Sequence, residues 1–272
     1  MPELPEVETI RIGLNNIINK KILQVFRSDK KLRIASKLDI AGLTGKKIKD
    51  ISRRARYLII NFSDNDSLII HLGMSGRLLL NKDKNYQKQK HDHLICEFDD
   101  KSRLIFNDPR RFGFVDLVDA KNLQTHQMLV KLGPEPFDEK FDAKYLSEKL
   151  KKKSTNIKTT MMDNEIVVGV GNIYINESLF ASKIAPMRAA NSLNNKEIEL
   201  LTKNIKKILQ TAINEGGSSI NDYVDSDGNL GNFQNNFKIY GKNDKNCLHC
   251  STKIERIVQN GRSSFYCKTC QK

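Results

Sequence analysis

The end of the chain constrains its fold most. Cys247, Cys250, Cys267 and Cys270 fall within the last 26 residues as "CLHC" and "CKTC", with residues 251–266 between the pairs. In a C-x2-C pair both thiolates can point inward from one tight knuckle, and two such pairs complete the tetrahedral shell of a structural zinc ion. Two disulfides or reduced core thiols are the alternatives, and a reducing compartment favours the metal. Four thiolates close the shell, so a zinc held this way braces a hairpin and leaves no open position for chemistry. That hairpin presents "QNGRSSFYC", with Arg262 at its tip. His249, inside the first knuckle, reads as a spectator, and Cys96 stands apart.

The charge balance points to the partner. Forty-six Lys and Arg against 32 Asp and Glu give +14 over 272 residues, which favours a polyanion, nucleic acid before an anionic membrane surface. No apolar run approaches the roughly 20 residues that span a bilayer. The start "MPELPEVETI" has early acids and no apolar core of a signal peptide, so the expected location is cytoplasmic, with no membrane partner. Apolar content of 39% suffices for two domains with real cores.

The hydrophobic period changes along the chain. After an opening helix, "IRIGLNNIINKKILQV", come "YLIINF", "SLIIHLGMSGRLLL", "HLICEFDD" and "RLIFNDPRRFGFVDLV". Their alternation and polar turns read as antiparallel strands. Residues 2–131 are therefore expected to form a β-rich domain with a leading helix, and "LGPEPFDEKFD" breaks the pattern as a linker does. Residues 132–234 read as mostly helical: in "NNKEIELLTKNIKKILQTAINEGG", Ile198, Leu201, Ile205, Ile208, Leu209 and Ala212 share one face, and Gly216–Gly217 supply the stop. "YVDSDGNLGNFQNN" is polar and Gly-rich and reads as a mobile loop. Residues 235–272 hold the cysteine module. The class is α+β.

Several short stretches carry chemistry, each with a plainer reading beside it. "DNEIVVGVGNIYINESLF" is helix-like on both sides of Gly169–Asn172; its glycines can expose backbone N–H groups to an anion or merely pack helices together. It lacks the third glycine of a dinucleotide fingerprint. "KLKKKSTNIK" and "SRRARY" are solvated faces or phosphate contacts. "DPRRFG" delivers an arginine and then an aromatic from a turn, which suits a wedge into a base stack or an ordinary hairpin with a buried Phe112. In "KHDH", His91 and His93 share a strand face, as a metal pair or as phosphate-contacting or structural histidines. In "MPELPEVE", Pro5, Glu6 and Glu8 suit a helix start, which leaves Pro2–Glu3 unexplained.

Taken in order, "MPELPEVET", "HLGMSG", "KHDH", "DPRRFG", "MDN…VVGVGNIYINESLF", "EGGSS…DSDG" and the cysteine module resemble the bacterial formamidopyrimidine-DNA glycosylases over essentially the whole chain. The resemblance implies an N-terminal antiparallel β-sandwich with its leading helix, a helix-two-turn-helix domain and a zinc-finger β-hairpin. It implies a monomer that grips damaged double-stranded DNA, needs one structural zinc and uses no small-molecule cofactor. The activity it implies is excision of oxidised purines such as 8-oxoguanine and formamidopyrimidines, followed by strand cleavage. Pro2 becomes the nucleophile once Met1 is removed, because an α-amino group titrates near about 8 and is partly unprotonated at neutral pH. Glu3 protonates the departing sugar oxygen, Glu6 supports the N-terminus, and Arg262 donates a proton for δ-elimination. His91, Arg110, Lys153 and Asn172 match DNA contacts, while Met74, Arg110 and Phe112 match the side chains that fill the void left by a flipped base. One departure stands out. The family usually has a lysine for β-elimination where "RRARYL" places Arg56, and a guanidinium is a poor proton donor. Rival readings are an endonuclease VIII-like enzyme for oxidised pyrimidines, a non-catalytic zinc-finger DNA-binding protein, and an RNA-binding module. "PELPEV" in place of "PEGPEI" favours the purine enzyme, and the absence of Trp disfavours RNA stacking.

Overall fold

A computed structural model describes residues 1–34, 39–219 and 223–272. Packing divides the chain into two units: Met1–Val130 with Glu215–Gln234, and Lys131–Asn214 with Asn235–Lys272. Residues 215–234 thus belong to the N-terminal unit.

The first unit begins with α1 (Leu4–Gly13), followed by β1 (Ile22–Arg27), β2 (Ile48–Arg54), β3 (Tyr57–Phe62), β4 (Asp66–His71), β5 (Arg77–Asn81), β6 (Asp92–Phe98), β7 (Arg103–Asn107) and β8 (Phe114–Asp119). Two four-stranded sheets form, ordered β1-β6-β7-β5 and β2-β3-β4-β8, and every pairing is antiparallel. One core takes Ile22, Leu78, Leu94 and Leu104 from the first sheet, Ile51, Leu58, Leu68 and Val115 from the second, and Val7 and Ile10 from α1. This is the expected sandwich with its leading helix.

Local chemistry moves two boundaries. The opening helix stops at Gly13, passes through a 3-10 turn over Leu14–Ile17, and the Ile22–Val25 part of its run is strand β1. Gly13 and Asn15–Asn16 are weak helix formers, and Asn19 takes a φ of 71°, a left-handed conformation no helix contains. β1 and β2 both contribute to the sheets although periodicity did not mark them; β2, "IKDISRR", is hidden by its charge.

The second unit contains α2 (Ala143–Leu150), α3 (Ile157–Met161), α4 (Asn172–Ala181), α5 (Asn195–Asn214) and the hairpin β9 (Glu255–Gln259) with β10 (Arg262–Tyr266). α5 buries Ile198, Leu201, Ile205, Leu209 and Ala212 as its pattern predicts, with Thr202 added and Ile208 only half-buried. The stretch before Gly169, expected to be helical, is a series of turns, and the preceding helix is α3. Asn156 ends the chain's extended approach to α3 by accepting from Thr159 N, a standard N-cap. Among the described residues no helix is long and apolar enough to cross a membrane.

Candidate active site and metal centre

At the N-terminus, Pro2 is buried and Glu3 and Glu6 are 5% and 2% exposed. Glu3 is the N-cap of α1, in a reciprocal capping box with Glu6, and Glu6 Oε2 accepts from Glu3 N at 2.8 Å. Glu6 Oε1 accepts from Ser218 N at 2.8 Å. A capping carboxylate needs only the first bond; the second ties it to a segment more than 200 residues away. Tyr223, also buried, donates its hydroxyl to the backbone oxygens of Glu6 and Gly216, and burial followed by the Glu6 charge pushes that phenol's pKa up. Gly217 makes the approach possible: its φ is +79°, and a Cβ there would sit 3.1 Å from Glu6 Cγ and Oε1. The stretch read as a mobile loop is therefore anchored in part. Tyr223, Ser226 and Phe233 are buried, and Leu230 at 64% exposure lies in its outer part.

Arg56 follows Ala55, which turns the β2–β3 hairpin at φ 54°. Its Nη1 lies 3.9 Å from Met1 Sδ, so this guanidinium and the N-terminus share one neighbourhood. His71, a residue the sequence reading did not single out, belongs there too. Burial, then the charges of Arg56 and Arg33, lower its pKa to about 4 against a partial opposing effect of Asp108. Gly73 N donates to His71 Nδ1 at 3.1 Å, which assigns the proton of the neutral ring to Nε2. The result is an uncharged donor within the field of two arginines. The "HLG" turn is its sequence signal.

Two turns meet beside this group. Asp108, fully buried, accepts from Ser75 Oγ at 2.7 Å and from Gly113 N at 2.8 Å. These bonds hold "DPRRFG" against "HLGMSG". A Cβ on Gly73 would come within 2.4 Å of Gly113 N, so the two backbones touch. Met74 and Phe112 are left 44% and 45% exposed, and Arg110 Cζ lies 4.8 Å over the Phe112 ring. Phe112 is not the buried hairpin residue of the plainer reading. Exposed large apolar side chains on a rigid turn beside cations are poised for contact with stacked bases.

The histidine pair separates. His93 is buried, with Nδ1 bonded to Ser28 Oγ at 2.9 Å and Nε2 to Asp108 O at 3.0 Å, and both nitrogens are occupied by structure. His91 is half-buried. Among the described residues the only His/Cys/Asp/Glu group with metal-binding geometry is the cysteine cluster.

In the second unit, Lys153 and Arg262 line one cleft with Thr159, Asp163 and Gln259. Asn260 and Gly261 take φ of 47° and 71° to turn the hairpin, and Arg262 is exposed beside that turn. Asn172 opens α4 after Gly171, and its Oδ1 is buried with no hydrogen-bond partner among the described residues. Three buried polar residues escaped the sequence reading. Lys158, 1% exposed, donates to Ser263 O at 2.8 Å and Ser264 Oγ at 2.7 Å. Asn176 accepts from Phe265 N, and Glu177 from three consecutive backbone N–H groups.

The four cysteine sulfurs lie within 4.8 Å of one another, with Cys247 Sγ 3.8 Å from Cys270 Sγ and Cys250 Sγ 3.4 Å from Cys267 Sγ. Zn–S bonds of about 2.3 Å in a tetrahedron separate sulfurs by about 3.8 Å, so the four residues fit one zinc ion. His249 stacks on Phe180 at 5.4 Å, as a spectator would.

Comparison with known proteins matches all three parts. Residues 1–115 match the formamidopyrimidine-DNA glycosylase N-terminal domain, residues 132–224 its H2TH domain, and residues 244–272 a zinc finger found in FPG and IleRS. The chain is 46% identical over 273 residues to formamidopyrimidine-DNA glycosylase of Wolbachia pipientis subsp. Culex pipiens, covering 100% of both. It is 43% identical to that of Rickettsia conorii, covering 100% of this chain and 99% of the other. Among solved structures, a Lactococcus lactis FPG mutant in complex with a Fapy-dG containing DNA is 38% identical with a TM-score of 0.92 over 100% of both chains. The FPG protein of Thermus thermophilus is 33% identical with a TM-score of 0.88, over 99% of this chain and 98% of that one.

Proposed function

Because the chain belongs to the formamidopyrimidine-DNA glycosylase family, and is thus a DNA-repair glycosylase with abasic-site lyase activity, we propose that it excises oxidised purines through the amine of Pro2. Removal of Met1 frees that amine. It attacks the sugar C1′, the C1′–N bond to the damaged base breaks, and Glu3 delivers a proton to the departing sugar oxygen. The iminium that remains acidifies the C2′ proton. Loss of that proton expels the 3′ phosphate, and a second elimination, assisted by Arg262, expels the 5′ phosphate.

The observation that carries this reading is the use made of Glu6. A buried carboxylate commits one oxygen to Glu3 N and the other to Ser218 N, more than a helix cap requires and well suited to a terminus that must be held still. Arg110 and Phe112, with Met74, fill the duplex where the base leaves. His91, Lys153 and Asn172 hold phosphates. Arg56, beside the N-terminus, supplies positive charge to a phosphate, and its high pKa makes proton transfer to the leaving group slow. A zinc held by Cys247, Cys250, Cys267 and Cys270 braces the hairpin and takes no part in the reaction. The protein acts as a cytoplasmic monomer on duplex DNA.

The test compares strand cutting on duplexes carrying 8-oxoguanine opposite cytosine, thymine glycol, or no damage. Preferential cutting at 8-oxoguanine is expected. Preference for thymine glycol would replace this reading with the oxidised-pyrimidine enzyme, and binding without cutting would replace it with a non-catalytic DNA-binding protein.

A further inference from the structure

We propose that Asn176 and Glu177 are positioning residues that set where Arg262 stands relative to the Asn172 turn and Lys153. The inference deepens the lyase reading above and rests on it.

Adjacent on α4, Asn176 and Glu177 are 1% and 4% exposed, and burying an amide and a carboxylate is costly unless every bond is made. Asn176 Oδ1 accepts from Phe265 N on β10 at 2.8 Å, while its Nδ2 donates to Asn172 O at 2.6 Å. One side chain therefore links the first residue of α4, on the glycine turn, to the strand that begins with Arg262. Glu177 Oε2 accepts from Lys238 N at 2.9 Å, and Oε1 from Ile239 N at 3.0 Å and Tyr240 N at 2.8 Å. That carboxylate grips the segment that leads into the cysteine module. Three successive backbone N–H groups aimed at one carboxylate form a directional anchor that an apolar contact cannot imitate.

The rest of the hairpin's seating agrees in direction. Lys158 on α3 bonds Ser263 O and Ser264 Oγ, next to Arg262. Gln259, on the partner strand, donates to Pro186 O and accepts from Ser264 Oγ. The four thiolates, by contrast, lie within 4.8 Å of one another and tie the two knuckles together. Zinc shapes the finger, and α4 determines where its tip points. Since an error of about 1 Å in placing a catalytic group can cost about a hundredfold, loosening this seat should damage the step that uses Arg262 and spare the step that uses Pro2.

The test uses zinc-loaded, full-length Glu177→Gln and Asn176→Ser with wild type on a duplex holding one abasic site, at saturating enzyme in a single turnover. Glutamine presents an NH2 to backbone donors, and the serine hydroxyl is both donor and acceptor but reaches less far than the amide, so it weakens the links of Asn176. In Glu177→Gln the δ-product rate is expected to fall about tenfold or more, with β-product accumulating. Asn176→Ser should show a smaller shift of the same kind. Zinc content and borohydride-trapped adduct should match wild type in both. Partition between β- and δ-products equal to wild type in both variants overturns the proposal. So does loss of zinc in Glu177→Gln, because the carboxylate would then serve the folding of the module and not its placement. Wild type that forms neither trapped adduct nor δ-product refutes the lyase reading instead.

Discussion

Acidification from pH 7 to pH 5 should cost the first unit about 2 kcal/mol through His71 alone. Burial and the neighbouring Arg56 and Arg33 charges hold this imidazole at about 4 against an ordinary 6.5. A group whose folded pKa lies below its unfolded value binds its proton first in the unfolded chain, so protonation favours unfolding. For a histidine the stabilisation is fully present above pH 6.5 and is lost as pH falls toward 4. Integrating over that shift gives a loss of about 2 kcal/mol by pH 5 and about 3 kcal/mol by pH 4. The window is separate from that of the paired carboxylates. Glu8, bonded to Arg11 and Arg53 against the effect of burial, and Asp64, bonded to Lys46, have lowered pKa values, and their stability is present above the ordinary carboxylate range and lost only beneath it. Amide exchange of β3 and β4, which pair directly beside His71, reports the opening free energy of this unit. Measured at pH 7, 6 and 5, with the intrinsic exchange rate divided out, wild type should weaken by about 2 kcal/mol more than His71→Gln. Equal slopes for the two proteins would refute the assignment of a buried neutral imidazole.

Other expectations follow from single contacts. Gly217→Ala forces a Cβ into a left-handed φ and against Glu6; a loss of about 1–2 kcal/mol of stability should accompany weaker borohydride trapping, and an unchanged trap would show that Glu6 is not held from this side. Arg56→Ala should weaken DNA binding and lower the slope of log K against log salt by about 1, whereas Arg56→Lys should speed β-elimination on an abasic duplex; an unaltered salt slope sinks the phosphate contact. Stringent chelation should release one zinc per chain and unfold β9–β10 by near-ultraviolet circular dichroism, and a hairpin unaffected by metal loss would contradict the structural role.

Much of this molecule is legible in its sequence because its strongest signals are local. Knuckle spacing fixes the cysteine cluster without knowledge of any other part. Tyr57–Phe62 is an apolar, Ile-rich run bounded sharply enough by Arg56 and Ser63 that its predicted and observed limits coincide, and α5 announces itself by period. What stays hidden depends on partners distant in sequence. Nothing near Glu6 reveals that Ser218 will donate to it, and nothing near His71 shows that Arg33 and Arg56 will depress its pKa. "IKDISRR" became β2 because β3 lay ready to pair with it, an advantage that its own composition does not display. Lys158, Asn176 and Glu177 look like surface residues of a helix until the hairpin is packed upon them. The family resemblance named Pro2, Glu3 and Arg262; the reason for their placement comes from the packing.

The residue that becomes bonded to the sugar identifies the nucleophile. Mature protein lacking Met1 is incubated with the 8-oxoguanine duplex and borohydride, and the adduct is digested and mapped by mass. The sugar is expected on the nitrogen of Pro2, with no adduct when a tag precedes that residue. An adduct on a lysine, undiminished trapping by the tagged form, or cutting with no adduct at all would contradict Pro2 as the nucleophile.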